Sequence, residues 1–179
     1  MIAYRSHQPN EASAIENLFI FVFSQSEGER EGALIGHLAQ QLMSTTDPQN
    51  LYGFVAVDGE NIVGSIFFSR LTFASNIDVF ILAPVAVQTD YQGQGIGQAL
   101  ITHGLQELKS KGVNVVTTYG DPAFYSKVGF RPLSQNVIAA PLALSQPEGW
   151  LGQALTQEAI EPIPGRCSCV PALNDPAYW

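Results

Sequence analysis

Ile77-Asp78-Val79-Phe80-Ile81-Leu82-Ala83-Pro84-Val85-Ala86-Val87 runs on through Gln88-Thr89-Asp90-Tyr91 into Gln92-Gly93-Gln94-Gly95-Ile96-Gly97, and this junction decides the fold. Its first part is almost continuously apolar, which predicts a central strand covered on both faces. Pro84 interrupts it, and a proline removes a ladder donor, so a bulge or a break in pairing is expected there. The second part, rich in glycine from Thr89 to Gly95, leads into a helix predicted from about Gly95 to Lys111. Ile96, Leu100, Ile101, Leu105 and Leu108 line one face of that helix, and Gly112 ends it. Val113 to Tyr119 is again an apolar strand. A strand–helix–strand unit of this kind predicts a parallel pair joined by a right-handed crossover.

Working outward, Met1 to Ser6 reads as a strand, and Ala12, Ile15, Leu18, Phe19 and Val22 fall at helical spacing. Ser24 to Arg30 reads as a polar loop around Gly28. A second helix is predicted from about Glu31 to Met43, with Asp47-Pro48 beyond its end. Tyr52–Val57 and Ile62–Leu71 flank Asp58-Gly59-Glu60-Asn61, a hairpin signal. On the far side, Asp121 is placed as an N-cap with Pro122 at the first helical position, and Gly129 closes that short helix. Phe130 to Leu133 is expected to begin a last strand. The remainder, from Ser134, holds six prolines, but it also holds Trp150-Leu151 and Tyr178-Trp179, so a packed extension is expected. The fold class is α/β (α+β), a mixed sheet of about six or seven strands with about four helices, in one domain over residues 1–179.

The chain has 179 residues, a length that needs no metal or disulfide to stabilise a core. Hydrophobic residues make up 46% and charged residues 13%, a globular balance. The net charge of −8, with no basic stripe beyond Lys109 and Lys111, argues against a nucleic-acid partner. No apolar run is long enough to span a membrane, and the start lacks a secretory pattern. Cys167 and Cys169 sit one residue apart with no histidine nearby. Free thiols in a reducing cytoplasm are the expected state, with no metal site.

The loop carries the chemistry. Glycines let the backbone turn tightly and aim successive N–H groups at one point. The helix start behind them adds its positive end, which suits a pyrophosphate without any lysine or arginine. A tight strand–helix turn with no ligand is the plain alternative. A P-loop is excluded, because no Lys-Ser or Lys-Thr follows. A dinucleotide fingerprint fits badly, since it requires glycine where Gln98 stands.

Pro84-Val85-Ala86-Val87 followed by Tyr91-Gln92-Gly93-Gln94-Gly95-Ile96-Gly97 resembles the cofactor signature of the GNAT superfamily of N-acetyltransferases, with Gln92, Gly95 and Gly97 matching its core. Gly120-Asp121-Pro122-Ala123-Phe124-Tyr125, closing with Val128-Gly129-Phe130, is similar to the superfamily's second signature, in the Gly-Asp-Pro form of one bacterial branch. The element order agrees to about Leu133. The resemblance implies acetyl-CoA as co-substrate, with its pantetheine arm between two splayed parallel strands, here Ile81–Val87 and Val113–Tyr119. It implies that Val85, Ala86 and Val87 meet the pantetheine, that the amides of Gln92, Gly93, Gln94, Gly95, Ile96, Gly97 and Gln98 hold the pyrophosphate, and that Asp121 and Phe124 border the cofactor. Tyr125 matches the tyrosine that serves many relatives as general acid, the alternative being a packed aromatic. A backbone N–H near Tyr119 is implied to polarise the thioester carbonyl.

The base is left open among Asp78, Glu29 and Glu31, each also readable as a surface carboxylate. His7, His37 and His103 lie outside both motifs. The acceptor, a small-molecule or protein amine, is expected near the first two helices, the Ser24–Gly32 loop and the tail, with Phe19, Phe23 and Trp150 as lining candidates or core residues. The tail is readable as a lid, as padding of the sheet or, through Tyr178-Trp179, as a homodimer interface. The competing functions are a non-catalytic acyl-CoA-binding sensor and, more remotely, another phosphate-ligand protein.

Overall fold

The computed structural model describes all of Met1–Trp179. In chain order its elements are β1 (Ile2–Ser6), α1 (Ala12–Glu27), α2 (Glu29–Thr45), β2 (Leu51–Asp58), β3 (Asn61–Leu71), β4 (Val79–Val87), α3 (Ile96–Ser110), β5 (Val115–Tyr119), α4 (Pro122–Tyr125), β6 (Arg131–Pro132) and β7 (Trp150–Ala154). The strands form one mixed sheet of seven in the order β1-β2-β3-β4-β5-β7-β6, the expected class. By contact, the chain divides into two compact units, each discontinuous in sequence: Met1–Phe67 with Pro84–Gly104, and Phe68–Ala83 with Leu105–Trp179.

In the first unit, β1 and β2 pair antiparallel from Ile2↔Asp58 to Ser6↔Phe54. The polar loop expected over Ser24–Arg30 is absent. Helix α1 continues to Glu27, and Gly28 alone, at φ +100°, separates it from α2. Serine, glutamine and glutamate tolerate a helix, so the break falls where only glycine relieves the backbone. The Gly28 N–H donates to Ser24 O, and the Gly28 carbonyl accepts from Gly32 N–H, each at 3.0 Å. The two helices then pack very closely. A Cβ at Gly32 would lie 2.6 Å from Ile20 O and 2.8 Å from Ser24 N, both backbone atoms. Ile15 and Phe19 of α1, Ala39 and Leu42 of α2, and Val55, Ala56 and Phe67 of the strands form the core. Phe19 is therefore a core residue and not a pocket wall.

In the second unit, β4 and β5 pair in parallel from Val79↔Val115 to Leu82↔Thr118, as the strand–helix–strand unit predicts. The strand expected from Phe130 to Leu133 is the two-residue β6, but it is not the last. The tail returns as β7, which pairs antiparallel with β5 from Val115↔Ala154 to Tyr119↔Trp150 and holds the two-residue β6 on its other edge. Trp150 is 1% exposed, and its indole N–H donates to Ile138 O at 2.9 Å, so it too is core. Trp179 is buried against Tyr119 and Trp150, at ring centroid distances of 6.1 and 6.3 Å, and its indole N–H donates to Leu173 O. Trp179 is thus an internal residue. Cys167 is buried and free, its Sγ donating to Ala139 O. No helix is long and apolar enough to cross a membrane.

Candidate active site

The first unit carries the loop. Gly93 and Gly95 hold φ of +77° and +80°, which other residues adopt only under strain, and an added Cβ at either would meet nothing within 4 Å. The glycines therefore serve the backbone's turn and leave the space above it open. Gly95 O accepts from Ala99 N–H at 3.0 Å, which makes Gly95 the cap of the fifteen-residue α3. A glycine cap brings no side-chain oxygen to the amides of Gly97 and Gln98, and with Ile96 these first-turn N–H groups have no intrahelical acceptor. Uncapped amides, a helix dipole and open space form a cradle suited to an anion.

Side chains fix that cradle in place. Gln92 Nε2 donates to Val87 O at 2.9 Å, which ties the loop to the end of β4. The Tyr91 hydroxyl donates to Asp58 Oδ2 at 2.8 Å, and Thr89 Oγ1 donates to Gln25 Oε1 at 3.0 Å. The bond to the Asp58 carboxylate raises the Tyr91 pKa. Gln88 N–H donates to Val63 O on β3 at 2.7 Å. Strand alternation then turns the peptide groups of Val85 and Val87 to the opposite edge of β4. Ala86 is buried, with Val85 and Val87 half-buried. One expectation is refined here: the Val87 carbonyl is already taken by Gln92, a tie that spacing alone does not reveal.

The second unit carries Tyr125. Asp121 caps α4 by accepting from Ala123 N–H at 3.0 Å, with Pro122 at the first helical position and Gly129 at φ +96° at the end of the following turn. These are the roles expected of them. The tyrosine ring is boxed in by Phe124 and Phe130, edge-on at 5.0 and 5.8 Å. It also stands close to Gly120, where an added Cβ would lie 2.7 Å from Cε2. Desolvation pushes the Tyr125 phenol up to about 12; a hydrogen bond with the Thr118 hydroxyl opposes this and the nearby Asp121 carboxylate adds to it. The residue as a whole is half-buried. A group of this kind is protonated at any physiological pH, as a proton donor must be.

Asp78 is ion-paired with Arg70, and its backbone N–H donates to Asn114 Oδ1 at 2.9 Å. It holds the start of β4 and β5 together. Glu29 and Glu31 stand in the first turn of α2, where carboxylates favour the helix dipole. His7 packs edge-on to Phe67 and His103 to Phe54, while His37 is exposed. Tyr119 is paired with Trp150 in the sheet, and its hydroxyl accepts from Gln146 N–H at 2.6 Å. No group of three or more metal-binding side chains is assembled.

Residues 49–132 match the family model described as Acetyltransferase (GNAT) domain, a span that includes both Gln92–Gly97 and Gly120–Tyr125. Over those residues the chain is similar to a GNAT acetyltransferase domain. Among curated proteins it is similar to the uncharacterized N-acetyltransferase YjhQ of Escherichia coli K12, 34% identical over 113 residues, covering 60% of this chain and 62% of that one. It is also similar to the uncharacterized N-acetyltransferase YhbS of the same strain, 39% identical over 80 residues, covering 44% of this chain and 48% of that one. The matched regions thus span between about half and three fifths of these relatives' length. Among solved structures, YhbS from Escherichia coli in complex with CoA has a TM-score of 0.84 at 25% identity, over 97% of this chain and 92% of that one. A GNAT family acetyltransferase from Brucella melitensis in complex with acetyl-CoA shares the fold, with a TM-score of 0.76 at 21% identity over 97% and 99%. The GNAT fold therefore extends past the matched residues and into the tail.

Proposed function

We propose that this protein is an acetyl-CoA-dependent N-acetyltransferase that moves an acetyl group to a primary amine of a small molecule or protein, by direct transfer in a ternary complex. The observation that carries this reading is the glycine-capped, side-chain-anchored start of α3, since it offers amides to an anion without any basic residue. Support also comes from the likeness to YhbS, whose structure contains CoA. In this reading the amides of Gln92 to Gln98 hold the pyrophosphate, Val85, Ala86 and Val87 line the pantetheine, and Asp121 and Phe124 border the cofactor.

Acetyl-CoA supplies an acyl group activated as a thioester. Tyr125 holds a proton at Oη and releases it to the departing sulfur, acting as the general acid. One S–C bond breaks and one N–C bond forms; the amine loses one proton and the sulfur gains one, so Tyr125 ends the cycle protonated. The proposed compartment is the cytoplasm, where acetyl-CoA is at hand.

Calorimetric titration with acetyl-CoA, using NAD as the control ligand, tests the reading on the wild type and Gly95→Trp. Binding to the wild type alone, without NAD heat, is expected. A screen of amines should then find turnover that Tyr125→Phe depresses. Absence of acetyl-CoA binding to folded wild type would overturn the proposal, whereas binding without turnover on any amine would favour an acyl-CoA sensor.

A further inference from the structure

Neither Gly120 nor Gly149 has a positive φ, so the backbone does not require glycine at either position. Space does. A Cβ on Gly149 would stand 2.9 Å from Gly120 O and 3.3 Å from the Tyr119 ring, and a Cβ on Gly120 would stand 2.7 Å from the Tyr125 ring. The close contacts therefore run in series, from Gly149 in the tail through Gly120 to the phenol. Gly149 is buried and closes a turn at residues 145–149, its N–H donating to Gln146 O at 2.9 Å. Hydrogen bonds hold that turn on the end of β5. Gly120 N–H donates to Gly149 O at 3.0 Å, and Gln146 N–H donates to the Tyr119 hydroxyl at 2.6 Å. Ser145 Oγ lies 3.2 Å from the same hydroxyl, and Trp179 stacks on the Tyr119 ring at a centroid distance of 6.1 Å.

We propose that the 145–149 turn positions Tyr125, with Tyr119 and Gly149 as its positioning residues: the Tyr119 hydroxyl pins the turn, and Gly149 seats it on Gly120, against which the phenol ring rests. The tail is in this way part of what aims the proton donor and not padding of the sheet. The inference rests on Tyr125 acting as the general acid. Proton transfer depends steeply on where Oη stands, whereas affinity for acetyl-CoA does not. The seat is backbone against backbone, so no soft side chain absorbs a displacement there. A methyl group at position 149 must move either the turn or the Gly120 carbonyl. The rest of Tyr125's surroundings is held separately. Phe130 N–H donates to Tyr125 O at 3.2 Å, and Gln153 Nε2 donates to Val128 O at 2.9 Å. Helix α4 is thereby kept from following Gly120, and the ring's orientation takes up the change.

The test reads the ligand-free protein first, so its outcome does not depend on acetyl-CoA binding. Protein is made with 3-fluorotyrosine, and the Tyr125 19F resonance is assigned by its loss in Tyr125→Phe. Gly149→Ala should shift that resonance. Tyr119→Phe, which frees the turn but keeps the ring on Trp179, should shift it by less. In turnover assays Gly149→Ala should lower kcat roughly tenfold and Tyr119→Phe roughly threefold, with KM for acetyl-CoA unchanged in both. Ile163→Ala is the control, at a buried tail residue that none of these contacts includes. It should lose stability through its cavity yet keep both the wild-type resonance and the wild-type kcat. Should Gly149→Ala fail to fold, Tyr119→Phe is read alone. An unmoved Tyr125 resonance or a wild-type kcat in the variant that is read overturns the proposal. A control that loses kcat to the same extent overturns it as well, because the effect would then be one of stability. If the protein binds no acetyl-CoA, the acetyltransferase reading is removed, and the resonance still decides whether the turn positions Tyr125.

Discussion

Tyr125 concentrates the chemistry in one side chain, and its surroundings say how it should fail. Removing only its hydroxyl in Tyr125→Phe keeps the ring between Phe124 and Phe130. We expect kcat to drop by a factor on the order of 100, with little change in KM for acetyl-CoA. A drop in affinity with kcat preserved would instead make the tyrosine a binding residue. Gly120 offers a second and subtler change, since an added Cβ lies 2.7 Å from the ring. Gly120→Ala should displace the phenol and slow turnover about tenfold while leaving acetyl-CoA binding intact, because positioning of a proton donor matters more to rate than to affinity. The sequence showed Tyr125 through its place in a Gly-Asp-Pro-Ala-Phe-Tyr run. It could not show which of Thr117 and Thr118 finds a partner, because two adjacent threonines in a strand look alike until the fold places one of them beside the Leu82 carbonyl.

At the scale of elements, glycine does two different jobs, and mutation should separate them. In α2, Gly32 faces backbone atoms of α1, which cannot swing away, whereas the nearest atoms to Gly36 belong to the β-branched side chain of Ile20, which must shift to make room. Gly32→Ala should therefore lose roughly 1–3 kcal/mol of stability from overpacking. Gly36→Ala should lose less, since about 1 kcal/mol of helix propensity offsets part of the shift that Ile20 must make. Urea denaturation of both variants decides the matter, and equal stabilities would refute the close backbone crossing. At Gly95 the obstacle is the φ of +80° alone, as the space is open. What was legible follows the same division. The apolar run of β4, the amphipathic α3 and its glycine stop are periodic signals carried by ten or more residues. The single-glycine break at Gly28 was missed because its neighbours suit a loop and a helix equally. Strand β7 was missed because five residues between prolines give no period, and only pairing with the distant β5 makes them a strand.

For the molecule as a whole, the titratable groups set the pH range over which it holds together. On the acid side Glu11 forms a bidentate pair with Arg5, at 2.6 and 3.2 Å, which holds its pKa below the ordinary value. A lowered folded pKa means stability that is complete above the unfolded value, near 4.5, and lost as the pH falls through the folded one. Arg5 is partly exposed, so this contribution is small and salt-sensitive. On the alkaline side burial raises Cys167 from 9.0 to about 11 and Tyr125 from 10.0 to about 12. A raised folded pKa acts the other way, because the native state keeps a proton that the unfolded chain has released. These contributions are complete below pH 9, and they decline between 9 and 11 for the thiol and between 10 and 12 for the phenol. Melting temperature against pH should thus show a plateau through neutrality and a marked alkaline fall. The double variant Cys167→Ala with Tyr125→Phe should fall less steeply between pH 9 and 12, though from a lower plateau, because each change removes buried atoms. A parallel alkaline decline in wild type and double variant would place the loss elsewhere, in the repulsion of a chain that already carries a net charge of −8.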